Sequence, residues 1–153
     1  MIKGIHHIAI SVPDLAAGVK FYEAAFGFTV AQSATIANAP LADRAVGLAG
    51  MDADMAMLEA GNCFIELWQY RAPVGEDKTS RPCDLGYPHF ALEVVDILAE
   101  YKRLKTAGMT FVADPVDFGR ASAVYGKDPF GNIIEIYEIR NDDQAQLAHL
   151  TSR

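Results

Sequence analysis

The apolar positions of this chain keep two rhythms, period two and period 3.6, and they alternate in the same order twice. Residues 4–12, Gly-Ile-His-His-Ile-Ala-Ile-Ser-Val, predict a buried strand. Asp14 then stands where a carboxylate can accept the free amides of a first helical turn. Leu15, Val19, Tyr22 and Phe26 fall on one helical face, and Gly27 closes the helix. A strand over 28–36 follows, then an Ala-rich loop with a short helix around 41–48. Residues 53–60 and 63–70 predict a hairpin about Gly61-Asn62. After a Pro- and Gly-punctuated stretch at 71–86, a second strand is predicted at 88–95, and a helix capped by Asp96 follows it. Ile97, Tyr101 and Leu104 share that helix's apolar face, Gly108 ends it, and strands are expected near 110–113, 121–125 and 132–139. The tail, 141–153, is polar and only weakly helical in pattern.

The second half repeats the first in its letters as well as its rhythm. His7-Ile-Ala-Ile-Ser-Val-Pro-Asp14 aligns with His89-Phe-Ala-Leu-Glu-Val-Val-Asp96, and Gly61-Asn-Cys-Phe-Ile-Glu66 aligns with Gly131-Asn-Ile-Ile-Glu135. Each half therefore reads β-α-β-β-β, with a histidine opening its first strand and a glutamate inside its last.

The glutamates break the apolar pattern. Ile134 and Ile136 line one face of the last strand, while Ile133, Tyr137 and Ile139 flank Glu135 on the other. A carboxylate among such residues must be neutralised, paired or bound to a metal. Glu66 repeats the anomaly between Phe64 and Trp68. His6 and His7 point to opposite faces of a strand, and the repeat selects His7, because it aligns with His89. Ala9 and Ala91, two residues on, leave room beside each imidazole. Taken singly, each of these residues has an ordinary structural explanation, but four at equivalent positions point to a metal site. Two imidazoles and two carboxylates suit one divalent ion among Zn, Ni, Co, Mn, Fe and Mg. Trp68, Tyr70, Arg120 and Tyr125 are candidate substrate contacts, and Glu93 a candidate for the rim.

Composition narrows the partners. The chain has 153 residues, 51% hydrophobic, and a net charge of −7 without a basic cluster, which argues against nucleic acid and anionic membrane. No apolar run approaches the roughly 20 residues of a membrane span, and the N-terminal residues lack the apolar segment of a secretion signal. Cys63 and Cys83 have no CxxC spacing, so a reducing cytoplasm is expected.

With these residues assembled, the chain resembles the vicinal oxygen chelate superfamily, which includes glyoxalase I, methylmalonyl-CoA epimerase, extradiol dioxygenases, and fosfomycin and bleomycin resistance proteins. The His-Ile-Ala-Ile-Ser-Val-Pro-Asp opening and the Asp-Pro-Phe-Gly-Asn-Ile-Ile-Glu ending carry the resemblance, which covers residues 3–140. It implies one α+β domain over 1–140. Two tandem βαβββ modules, 3–70 and 87–140, are joined by the linker 71–86 and curve into an open mixed-sheet barrel around a metal; 141–153 is a tail. His7, Glu66, His89 and Glu135 match the family's four ligand positions. A carboxylate at Glu66 resembles the glyoxalase and epimerase branch, in which a metal polarises a substrate oxygen and a carboxylate, here Glu66 or Glu135, moves a proton on the adjacent carbon. The alternatives are an Fe(II) extradiol-type dioxygenase and a metal-free resistance or ligand-binding protein. Glutathione-dependent relatives resemble one another in an Arg and an Asn where this chain has Ser11 and Tyr70, so glutathione adducts are expected to be poor substrates. The resemblance also implies a homodimer acting on a small molecule.

Overall fold

The structure is a computed structural model that describes residues 1–76 and 81–150. The chain divides into two compact units, Met1–Asp77 and Lys78–Arg153. Both belong to the α+β class, each a mixed sheet with a helix against one face.

The first unit runs β1 (His7–Ser11), α1 (Leu15–Phe26), β2 (Thr29–Ala37), α2 (Pro40–Val46), β3 (Asp52–Glu59) and β4 (Phe64–Ala72). Its sheet order is β1-β4-β3-β2, with β1 and β4 parallel and the other pairs antiparallel. Asp14 accepts from the Ala17 amide at 2.9 Å, and Gly27, at φ 70°, gives α1 its left-handed end. The helix covers Leu58, Ala56, Ile65 and Leu67, all buried, on one face of the sheet. The opposite face of β4 presents Phe64, Glu66, Trp68 and Tyr70, as strand alternation requires.

The second unit runs β5 (His89–Glu93), α3 (Ile97–Ala107), β6 (Thr110–Phe111), β7 (Val116–Asp117), β8 (Ala121–Lys127) and β9 (Ile133–Ile139), then a 3₁₀ turn at Leu147–His149. Its order is β5-β9-β8-β6, with β7 also on β8. The β5–β9 pair is parallel, like β1–β4. Asp96 caps α3 through the Ala99 amide, while Ile134 and Ile136 are fully buried on the helix side of β9. The turn before β9 is built by Asp128, whose carboxylate accepts from the amides of Phe130 and Asn132 and from the Asn132 side chain.

Several expectations shift. The first strand starts at His7 rather than residue 4, so His6 lies outside it and is freed from the alternation that was to turn it away. The buried stripe of α1 is Gly18, Phe21, Tyr22 and Ala25, rotated from the expected one; Leu15, Val19 and Phe26 are half-buried. A search for large apolar residues passes over Gly18, yet a Cβ there would stand 3.3 Å from Val12 and 3.4 Å from Leu67, so the helix packs tightly here. On α3, Ile97 and Leu104 are buried but Tyr101 is half-buried and donates to Asp114. The strand expected at 110–113 is only two residues long, and β7, also two residues, follows it. Strand β4 extends through Ala72 into the expected linker, of which 77–80 lie outside the described residues, as do 151–153 of the tail.

Candidate functional site

The parallel pairing of β1 with β4 sets Ala9 directly opposite Glu66 and His7 opposite Phe64. His7 and Glu66 are thus diagonal neighbours on one face, a separation that two long side chains can close. They do: His7 Nε2 stands 3.5 Å from Glu66 Oε2. Ala9 presents only a methyl group here and leaves the space the pair uses. Glu66 is 8% exposed, and the Trp68 indole donates to the same Oε2 at 2.7 Å. Trp68 in turn stacks on Tyr70, with ring centroids 5.4 Å apart and planes 18° from parallel. Burial, with the Glu66 charge as a second cause, pushes the Tyr70 hydroxyl above the usual phenol range. On the other side of the imidazole, His7 Nδ1 lies 2.9 Å from His6 Nδ1.

The second unit repeats the diagonal. Ala91 is opposite Glu135 and His89 opposite Ile133, and His89 Nε2 stands 3.4 Å from Glu135 Oε2. The neighbours differ. Tyr125 stands directly across from Glu135 on β8. Its hydroxyl is also 3.4 Å from His89 Nε2, and its ring meets the imidazole edge to face at 4.8 Å. Burial and then the Glu135 charge raise the Tyr125 hydroxyl above its ordinary pKa. His89 Nδ1 is buried with no partner among the described residues.

These two pairs sit in a chain whose likeness to known proteins is extensive. Residues 4–136 match the model of the Glyoxalase/Bleomycin resistance protein/Dioxygenase superfamily. The chain belongs to that superfamily. It is 30% identical over 147 residues to 2-epi-5-epi-valiolone epimerase of Actinomyces sp., a match covering 88% of this chain and 79% of that protein. A glyoxalase-family protein from Bacillus cereus shares the fold at a TM-score of 0.82 and 23% identity, over 92% of this chain and 97% of that one. The fosfomycin resistance protein FosX of Listeria monocytogenes, solved with Mn(II) and sulfate, shares it at 0.65 and 17% identity, over 94% and 98%. Superfamily membership thus spans epimerases, fosfomycin-resistance enzymes and dioxygenases, including a protein that holds a divalent metal.

The superfamily's metal chemistry can be tested on the side chains themselves. Two donors held about 2.1 Å from one ion, at angles between octahedral and tetrahedral, stand about 3.0–3.4 Å apart. Both His–Glu separations, 3.5 and 3.4 Å, lie at or just beyond that range, with the donor atoms Nε2 and Oε2 facing each other. Each pair therefore fits two adjacent coordination positions. Among the described residues no group of three or more His, Cys, Asp or Glu is placed to hold a metal ion together.

The remaining candidates fall elsewhere. Arg120 is held in an exposed ion pair with Asp143 at 3.0 Å. It directly precedes Ala121, which pairs with Ile139, whereas Glu135 pairs with Tyr125, so Arg120 lies about 17 Å along the strand from that carboxylate. Arg71 is engaged by Asp52 and Asp54, and Arg81 by Asp84. Glu93 accepts from the Leu147 amide at 2.8 Å and so anchors the tail. Cys63 is half-buried, and burial pushes its thiol above the ordinary range. Sequence reasoning had Trp68 as a substrate contact and missed its bond to Glu66. The spacing of two residues on one strand was the available signal.

Proposed function

We propose that the protein is a divalent-metal-dependent isomerase or lyase of the epimerase and glyoxalase type. It acts on a small oxygenated molecule and moves a proton on the carbon beside a substrate oxygen. His7, Glu66, His89 and Glu135 would serve as ligands to a divalent ion. When bound, that ion supplies Lewis acidity that makes the neighbouring C–H easier to deprotonate. The observation that carries the reading is the repeated diagonal pair, an imidazole nitrogen 3.5 and 3.4 Å from a carboxylate oxygen at equivalent positions of two sheets. The 30% likeness to an epimerase supports the reaction class, and the Mn(II) in FosX supports the cofactor class.

The two carboxylates take different roles. Glu66 Oε2 already accepts from an indole N–H, a group that can donate but never take a proton back. It serves as ligand and anchor. Glu135 has no indole donor and lies across from the Tyr125 hydroxyl, which both donates and accepts, and so it is the residue that receives the substrate proton. Tyr125 keeps its own proton at neutral pH, since burial shifts it upward, and donates toward Glu135 or the substrate oxygen. Trp68 and Tyr70 form a stacked aromatic wall beside the first pair. Ser11 lies across from Trp68 in the β1–β4 register, and neither Ser11 nor Tyr70 brings a cation or amide to a glutathione carboxylate.

We also propose a homodimer; exposed Val95, Val112 and Phe118 give the second unit apolar surface to bury. Light scattering giving a mass near 33 kDa supports it, and about 17 kDa at all concentrations refutes it. The test of function is metal content of protein purified without added metal, followed by substrate α-proton exchange in D₂O under air and under nitrogen. Exchange that needs metal but not oxygen supports the reading. Turnover that consumes oxygen without exchange supports a ring-cleaving dioxygenase instead.

A further inference from the structure

The two halves differ at one position that bears directly on how the first imidazole is presented. His6 precedes β1, and its Nδ1 lies 2.9 Å from His7 Nδ1. Its ring is braced at both ends of the contact: it meets the His7 ring edge on at 5.2 Å and lies tilted on Phe64 at 5.2 Å. Its carbonyl accepts from the Phe64 amide at 2.9 Å, which ties the residue to the strand that carries Glu66. The equivalent position in the second half is Pro88, which offers no side-chain donor or acceptor, and there His89 Nδ1 is buried without a partner.

Two Nδ1 atoms can bond only if one carries a hydrogen and the other a lone pair. A neutral imidazole carries one hydrogen, so the bond fixes what stands at Nε2. If His7 donates, its Nε2 has a free lone pair pointing toward Glu66 Oε2, 3.5 Å away; if His6 donates, His7 Nε2 carries the hydrogen and can give it to that carboxylate. The first state binds a cation, and the second satisfies the pair without one. We propose that His6 is a positioning residue for His7. It accepts the His7 Nδ1 hydrogen, holds the ring with Nε2 toward Glu66, and presents Nε2 as a metal donor. It reverses the bond when no ion is bound. The inference rests on His7 being a metal ligand, as proposed above, and it goes beyond that reading by assigning the histidine that the repeat leaves out.

His6 is exposed, so water can replace part of what it does. The expected loss is therefore about tenfold in metal affinity, the lower end for residues that orient a ligand. The experiment compares wild type, His6→Phe and His6→Asn, each titrated with Zn²⁺ against a chromophoric chelator. Phenylalanine keeps the ring on Phe64 but has no acceptor, whereas asparagine restores one. The result expected is about tenfold weaker Zn²⁺ binding in His6→Phe and recovery of most of that loss in His6→Asn. A second readout uses imidazole ¹⁵N–¹H NMR of the Zn²⁺ forms. The His7 Nδ1 hydrogen should exchange slowly with water in wild type and rapidly in His6→Phe. Equal Zn²⁺ affinity and equal hydrogen exchange in wild type and His6→Phe overturn the role of His6 while leaving the metal reading intact. Absence of Zn²⁺ binding in wild type overturns both. Equal loss in the Phe and Asn variants also overturns the role, because an acceptor would then not be what matters.

Discussion

The first unit surrounds its His–Glu pair with fixed partners, and the second surrounds its pair with an exchangeable one. Glu66 is 8% exposed and bound to an indole N–H, while its histidine leans on a second histidine. Glu135 faces a tyrosine hydroxyl, and its histidine has a buried nitrogen with no partner among the described residues. Duplication supplied the same strand geometry twice, down to the alanine opposite each glutamate. Chemistry then diverged in the residues two positions along or one strand across. The lesson is that a repeat can conserve the placement of side chains while their neighbours differ, and the proposed function assigns holding to one half and proton movement to the other.

The largest test of that division is the pair of amide substitutions. Glu135→Gln keeps an oxygen near the metal but cannot accept a proton, so α-proton exchange should fall about 10²-fold or more with metal still bound. Glu66→Gln should weaken metal binding first and, once the ion is restored by excess, retain most of its exchange rate. Reversed results would move the base to Glu66. A smaller contrast comes from the neighbours themselves. Trp68→Phe leaves Oε2 of a buried carboxylate without its donor and should weaken metal binding about tenfold, whereas Tyr125→Phe should lower the exchange rate with little change in affinity. Isothermal titration beside deuterium exchange separates the two effects; identical behaviour of both variants would erase the distinction between the halves. The smallest prediction concerns packing alone. A Cβ at Gly126 would stand 2.8 Å from the Phe111 ring and from Met109 Cε, and the ring cannot swing aside as a methionine methyl can. Gly126→Ala should therefore cost about 1–3 kcal/mol in thermal or urea unfolding. Gly18→Ala, with contacts no closer than 3.3 Å, should cost less. A larger loss at Gly18 would show that α1 on its sheet is the tighter of the two interfaces.

The repeat made most of this legible from residues alone. Strand alternation placed Glu66 and Glu135 on the less apolar faces, and the aligned His7 and His89 fell diagonal to them, as the registers show. Cap chemistry at Asp14 and Asp96 located both helix starts. What escaped depended on where an element begins or on what is absent. A strand read from residue 4 turns His6 away from His7; with the strand beginning at His7, the two rings meet edge on at 5.2 Å. The α1 stripe was misread because its centre is Gly18 and Ala25, which carry little hydrophobic signal of their own. Strand β7 has two residues, too few to show a period. Arg120 had no local pattern to reveal that Asp143, 23 residues later, would take its guanidinium.

The claim on which the rest depends is that the two histidine–glutamate pairs are metal ligands. Titration with Zn²⁺ or Mn²⁺, followed by elemental analysis of the washed protein, measures it for wild type, His7→Ala and His89→Ala. The account predicts metal bound by wild type and a steep loss of affinity, about 10²-fold or more, when a pair loses its histidine, because each substitution removes a neutral donor. Variants that bind metal as tightly as wild type would contradict it, as would a wild-type protein that holds none.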